Sequence, residues 1–190
     1  MNDAAERLYE RVLVVRCQTG EPVALAELIA RYAPRLRFYL AKMAGEGVAD
    51  DLLQDVWVNV FANIARLNDA GAFGGWLYRI ARDKAYRELR RRRTPMLPFD
   101  EASIEAAIGE AEDETDWTAE DVERVRAALD RLPPEQREVL VLQFVEDMNY
   151  QQIAALIACP VGTVRSRIHY AKRALRSALD ESAVRKDLRT

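Results

Sequence analysis

The chain has 190 residues, 49% of them apolar and 31% charged, enough apolar material for packed cores and too much for a disordered state. This length suits one large domain or two small ones, and the longest apolar run, Ile153 to Cys159, falls far short of the roughly 20 residues that span a bilayer. The net charge of -3 conceals a segregation: residues 1–93 carry 16 basic and 12 acidic side chains, 94–123 carry 11 acidic and no basic ones, and 124–190 carry 12 basic and 8 acidic.

Apolar spacing is helical nearly throughout and predicts helices over 4–16, 22–44, 50–66, 73–92, 119–131, 135–146, 150–158 and 161–179, an all-α protein. The polar start, Met1-Asn2-Asp3, lacks the cationic and apolar parts of a secretory signal, so a cytoplasmic protein without membrane insertion is expected. In the helix over 50–66, Leu53, Val56, Trp57, Val60, Phe61 and Ile64 form the expected core stripe. Asp51, Gln54, Asp55, Val58 and Ala62 lie opposite, a mixed surface of the kind that a protein partner covers. For Asp50, Asp51 and Asp55, favourable placement near a helix N-terminus is the competing explanation.

After the loop from Leu67 to Ala72, a helix opens with Phe73, Trp76 and Leu77 and continues with Arg79, Arg82, Asp83, Tyr86 and Arg90 on one arc. Rings interleaved with guanidinium groups suit locally opened DNA, because cations meet phosphates while rings stack on unpaired bases. Phe73 and Trp76 also read as core anchors, and the arginine run 90–93 also reads as a solvated helix end. Prolines 95 and 98 close a first domain at residue 98. Residues 99–120, acidic with Ile104, Ile108 and Trp117, are expected to form a flexible linker to a second domain over 121–190.

Asn149 and Gln152 fit a capping box at the start of a short helix whose Ile153, Leu156 and Ile157 share a face. Cys159-Pro160-Val161-Gly162 forces a turn into a second helix. There Val161, Val164, Ile168, Ala171, Leu175 and Leu179 cluster on one side, and Arg165, Ser166, His169, Lys172, Arg173 and Arg176 on a neighbouring arc. A short helix, a tight turn and a basic amphipathic helix form the helix-turn-helix arrangement, which sets the second helix in the DNA major groove. An ordinary solvated basic helix is the bland alternative, and His169 alone reads equally as a surface histidine. Two separate cationic surfaces point to one extended polyanion touched twice.

The two cysteines, Cys17 and Cys159, are far apart in the chain, and the single histidine, His169, completes no metal-binding spacing. Phosphate-cradling glycine loops, nucleophile elbows and zinc-protease motifs do not occur. No cofactor, metal or catalytic centre is therefore expected, and an enzyme is disfavoured.

Four motifs in order, Asp51-Leu52-Leu53-Gln54-Asp55-Val56-Trp57, Phe73-Gly74-Gly75-Trp76-Leu77-Tyr78-Arg79-Ile80-Ala81-Arg82, Leu132-Pro133-Pro134-Glu135-Gln136-Arg137 and Gly162-Thr163-Val164-Arg165-Ser166-Arg167, resemble the extracytoplasmic-function sigma factors of bacterial RNA polymerase. The resemblance implies sigma region 2 over 1–98, region 4 over 121–190, and a connector threading the polymerase cleft. It implies core polymerase as the partner of Asp51, Gln54, Asp55 and Val58. It also implies minus-ten contacts from Arg79, Arg82, Asp83, Tyr86 and Arg90, with Phe73 and Trp76 alongside, and a base-capturing loop containing Asn68 and Asp69. Gly162, Thr163, Arg165, Ser166, His169, Tyr170 and Arg173 match the helix that reads the minus-thirty-five element, and an anti-sigma factor is an expected further partner. Asp83 stands where the family often carries asparagine, and when ionised it cannot donate a hydrogen bond and is repelled by phosphate. A stand-alone helix-turn-helix regulator is the alternative, which leaves the Asp51 face without a role and calls for a dimer on a palindrome.

Overall fold

The computed structural model describes residues 3–92 and 119–187. Eight α-helices form among them: α1 (Asp3–Gln18), α2 (Pro22–Ala44), α3 (Glu46–Asn63), α4 (Phe73–Arg92), α5 (Ala119–Arg131), α6 (Pro134–Phe144), α7 (Tyr150–Ile157) and α8 (Val161–Asp187). Two 3-10 turns, Ile64–Arg66 and Ala70–Ala72, link α3 to α4. Residues 93–118, which hold the predicted domain end at Pro98 and nearly all of the predicted linker, lie outside the described residues.

The helices α1 to α4 build the first body. Leu13 and Val14 of α1, Leu28, Leu36 and Leu40 of α2, and Val56 and Val60 of α3 are fully buried. In α4, Phe73, Leu77, Ala81 and Ala85 recur every fourth position and bury one face, as the 3.6-residue period demands. Pro34 lies inside α2 without ending it. Gly45, at φ 100°, turns the chain between α2 and α3, a backbone region that glycine adopts without strain. Phe61 departs from the expected core stripe: it is 72% exposed. By helical geometry its direction falls between the buried and outer stripes of α3, and periodicity alone does not decide such a position.

The second body packs α5, α6 and α7 around α8. Val164, Ile168 and Ala171 of α8 are buried with Ile153, Leu156 and Ile157 of α7. The predicted capping box is present: the Asn149 side chain accepts from the Gln152 N–H at 2.9 Å, and the Gln152 side chain accepts from the Asn149 N–H at 2.9 Å. Ala158 closes α7 in the left-handed conformation at φ 56°.

The two bodies pack against each other, α2 on α6 and α4 on α7. Residues 138 to 142 of α6 are buried in succession, leaving that stretch no solvent face. At the rim, Lys42 pairs with Asp130 at 2.8 Å and Arg35 with Asp147 at 3.1 Å. The Arg137 guanidinium donates to the Lys42 carbonyl. At the centre lies Glu138, 1% exposed, the charged residue among the largest fully buried side chains.

A second acid of the same body, Glu146, is less well served. Its carboxyl faces the Tyr78 hydroxyl, but the two do not close a hydrogen bond of ordinary geometry. Burial pushes the Glu146 carboxyl above its ordinary value, against the opposing influence of Tyr78 and Arg35. A carboxyl raised by folding is destabilising while ionised, and the penalty fades as pH falls through its raised range. Glu146→Gln is therefore expected to raise the thermal midpoint at pH 7.5 by a few degrees, and by less at pH 5, as followed by circular dichroism. An equal or larger gain at the lower pH would oppose this account.

Candidate protein and nucleic-acid interfaces

On α3, Asp51, Gln54, Asp55 and Val58 are all exposed, as expected, with Val58 at 63%. Phe61 joins them, so two large apolar side chains stand among the acidic and amide groups. An apolar anchor surrounded by polar groups is the anatomy of a protein-binding surface. The helix begins at Glu46, earlier than predicted, which places Asp51 and Asp55 beyond its first turn. The macrodipole acts mainly within that turn, so the capping explanation for these two acids weakens. Asp50 is otherwise occupied: Arg37 donates to it at 2.7 Å and holds its carboxyl below the ordinary value. Asp55 accepts from Lys84 of α4 at 3.3 Å.

Between α3 and α4 the two 3-10 turns frame an open cavity of about 620 Å³ lined by Asn59, Asn63, Arg66, Asn68, Asp69 and Trp76. Its amide and guanidinium groups can meet a base edge or a phosphate, and the Trp76 indole offers a face for stacking. The expected pair Asn68 and Asp69 is thus on the rim with Trp76, whereas Asn59, Asn63 and Arg66 had no motif to mark them. Asp69 also has a local task, accepting from the Gly71 N–H at 2.8 Å to cap the second turn.

Phe73 is corrected from a DNA contact to a core residue. Its ring is fully buried and lies edge-on to Tyr32, with centroids 5.5 Å apart, so no base can stack on it without unpacking the body.

The expected arc of α4 divides. Asp83 and Arg90 are exposed. Arg79, Arg82 and Tyr86 instead reach the second body: Arg79 Nη2 donates to the Ala155 carbonyl at 2.9 Å, Arg82 Nε to Glu138 Oε1 at 2.9 Å, and the Tyr86 hydroxyl to Glu138 Oε2 at 2.7 Å. Tyr39 of α2 adds a bond to Glu138 Oε1 at 2.8 Å. The Arg82 guanidinium also stacks over the Tyr86 ring, 4.6 Å from its centroid. Burial pushes both tyrosine hydroxyls well above their ordinary value, with the Glu138 charge adding to it, so both stay protonated donors. Farther along, Arg91 and Arg92 pair with Glu88 at 2.8 and 2.6 Å, and their hydrogen bonds lower its carboxyl to about 2.

The α8 helix presents Gly162, Arg165 and Arg173 to solvent, with Thr163, Ser166, His169 and Tyr170 half-buried beside them. The Ser166 hydroxyl donates to the Thr163 carbonyl at 3.0 Å, and the His169 and Tyr170 rings meet edge-on at 5.6 Å. Lys172 leaves the cationic arc, its ammonium lying 5.1 Å from the Phe144 ring centroid. No helix among the described residues is long and apolar enough to cross a membrane.

Comparison with known proteins agrees with both bodies. Residues 28–94 match the family model of sigma-70 region 2, and residues 122–175 that of sigma-70 region 4. The ECF RNA polymerase sigma-E factor of Escherichia coli (strain K12) is 31% identical over 180 residues, covering 90% of this chain and 94% of the relative. That of Haemophilus influenzae is 29% identical over 184 residues, covering 92% and 97%. Among solved structures, CnrH in complex with the cytosolic domain of CnrY superposes with a TM-score of 0.68 at 26% identity, over 90% of this chain and 97% of that one. The sigma factor RpoE in complex with the anti-sigma factor NepR from Bartonella quintana gives 0.63 at 25% identity, over 82% and 96%.

Proposed function

Because the chain belongs to the extracytoplasmic-function sigma factors of the sigma-70 family, we propose that its α3 outer face docks core RNA polymerase, its loop and α4 engage the minus-ten element, and α8 reads the minus-thirty-five element. The protein is a transcription initiation factor and not an enzyme; it binds core RNA polymerase and directs it to promoters. Polymerase works in the cytoplasm, which is the compartment this role requires. Control by an anti-sigma factor accords with the complexes formed by its structural relatives.

One observation carries the assignment of faces: Asp51, Gln54, Val58 and Phe61 form an exposed mixed patch on a different element from the cationic surface of α8. A regulator acting without polymerase has no use for that patch. Promoter opening fits the cavity beside Trp76. Extruding a base costs roughly a few kcal/mol, and stacking contributes about 1 to 3 kcal/mol per base once polymerase fixes the geometry. Neither body needs to hold a promoter tightly alone, since joining both on polymerase raises the effective concentration of the second contact after the first. Run-off transcription with purified core polymerase tests the whole reading: transcripts are expected only when this protein is added.

Arg165 and Arg91 separate base readout from phosphate contact. Arg165 is exposed near the start of α8, where side chains reach base edges, so Arg165→Ala is expected to relax preference at one minus-thirty-five position at a cost of about 1–3 kcal/mol for the preferred base. Arg91, exposed at the end of α4, is expected to act on phosphate. Arg91→Ala then weakens all sequences alike and lowers the salt slope by about one. Selection of bound sequences from a random pool by the holoenzyme, with affinity measured across salt, checks both; uniform losses for Arg165→Ala would demote it to a phosphate contact.

A further inference from the structure

We propose that Glu138 is an intrachain competitor of the minus-ten element, a buried carboxylate that holds the promoter-facing groups of α4 until the two bodies separate. The inference rests on the assignment of Arg82 and Tyr86 to promoter DNA, and it adds the means by which the free protein withholds them. Glu138 belongs to α6, yet its two oxygens accept from Arg82, Tyr86 and Tyr39, all in the first body. A carboxylate and a phosphate are both acceptor-only anions matched to the guanidinium fork. The Tyr86 hydroxyl and the Nε edge of the Arg82 guanidinium are thus committed to an anion of the same chain, and a strand cannot take those donors while the carboxylate holds them. Arg79 is held as well, on the Ala155 carbonyl.

The masking is one-sided. Asp51, Gln54, Val58 and Phe61 are exposed in the same packed arrangement, as are Arg165 and Arg173. The closed protein therefore keeps its polymerase face and its minus-thirty-five helix presented while Arg82 and Tyr86 of α4 are engaged within the chain. Glu138 is suited to this switching role because it is fully partnered when closed and stabilised by water when open, so the latch has two satisfied states. Removing the carboxylate charge leaves the half-buried Arg82 guanidinium uncompensated, which favours separation.

The test uses the full chain with two fluorescent DNA probes drawn from a promoter that the holoenzyme selects: the single strand carrying the minus-ten sequence, and the duplex carrying the minus-thirty-five sequence. Glu138→Gln is expected to tighten the free protein's hold on the minus-ten strand about tenfold, the scale of one lost charge-assisted hydrogen bond, with duplex affinity unchanged. Tyr39→Phe removes one donor from the same carboxylate without touching the DNA-facing groups, and is expected to give a gain of about threefold. It carries the test if Glu138→Gln does not fold. Energy transfer between dyes on the two bodies should fall in both variants. Holoenzyme carrying either variant should bind the promoter as the native one does, because polymerase has already parted the bodies. A drop in energy transfer with no gain for the minus-ten strand overturns the proposal, as does unchanged energy transfer with unchanged affinity. Arg82→Ala in the holoenzyme tests the underlying assignment separately: undiminished promoter binding there refutes the role of Arg82 on DNA, whatever the latch variants do.

Discussion

Asp51→Ala combined with Gln54→Ala is expected to lower affinity for core RNA polymerase by about two to three orders of magnitude, enough to abolish binding at ordinary assay concentrations, while leaving the fold intact. Both side chains are exposed on α3, and neither holds the body together, so their removal leaves no cavity and no orphaned charge. Their value lies in the complex, where acidic and amide groups at the centre of a surface select a complementary partner and their loss leaves that partner's groups unpaired. Phe61→Ala, which removes a ring that is 72% exposed, is expected to weaken the same complex by about 2 kcal/mol or more, as aromatic anchors commonly do, again without lowering the melting temperature. Titration of labelled protein with core polymerase, alongside thermal melts of the free variants, reads both effects. Native affinity in the double variant would show the docking face to lie elsewhere.

Phe73→Ala and Trp76→Ala, three positions apart on α4, are expected to fail in different ways. The Phe73 ring is fully buried against Tyr32 and tilted toward Trp76, with centroids 6.1 Å apart, so its truncation opens a cavity in the first body and costs about 3–5 kcal/mol. Of a total that is typically 5–15 kcal/mol, that loss is large enough to unfold much of the protein at growth temperature. Trp76 is only half-buried and lines the cavity between α3 and α4, so its truncation removes less packing and more of the stacking surface. Trp76→Ala holoenzyme is expected to bind promoters but open them poorly, losing on the order of tenfold in open complexes, consistent with about 1–3 kcal/mol for one stacked base. Permanganate reactivity of unpaired thymines measures opening, and chemical denaturation measures stability. Equal destabilisation by the two variants, with normal opening in Trp76→Ala, would assign both rings to the core.

Helix positions, the turn of the helix-turn-helix and the identity of its first cap are legible in the chain because they are local. Asn149 and Gln152 meet across one turn whatever surrounds them, and Ile153, Leu156 and Ile157 share a face by period alone. The division of charge is equally legible, and with it the two cationic helices and the mixed face of α3. Phe61 is exposed where the period expects core because its helical direction lies between the two stripes, and Phe73 stays open between core and DNA in the sequence because a ring that serves either looks the same there.

What composition and period determine by themselves is thus an all-helical chain with two basic bodies, and the residue sets of a sigma factor come from the resemblance of its motifs to that family. Tertiary structure alone decides that α2 packs on α6 and α4 on α7, that Arg79 reaches the Ala155 carbonyl, and that Glu138 receives Arg82, Tyr86 and Tyr39. The physical reason is range. A helix and its caps are fixed by neighbours within a few residues, whereas the bonds to Glu138 join positions 52 to 99 residues apart. Only the packing of the two bodies onto one another brings those donors to one buried carboxylate.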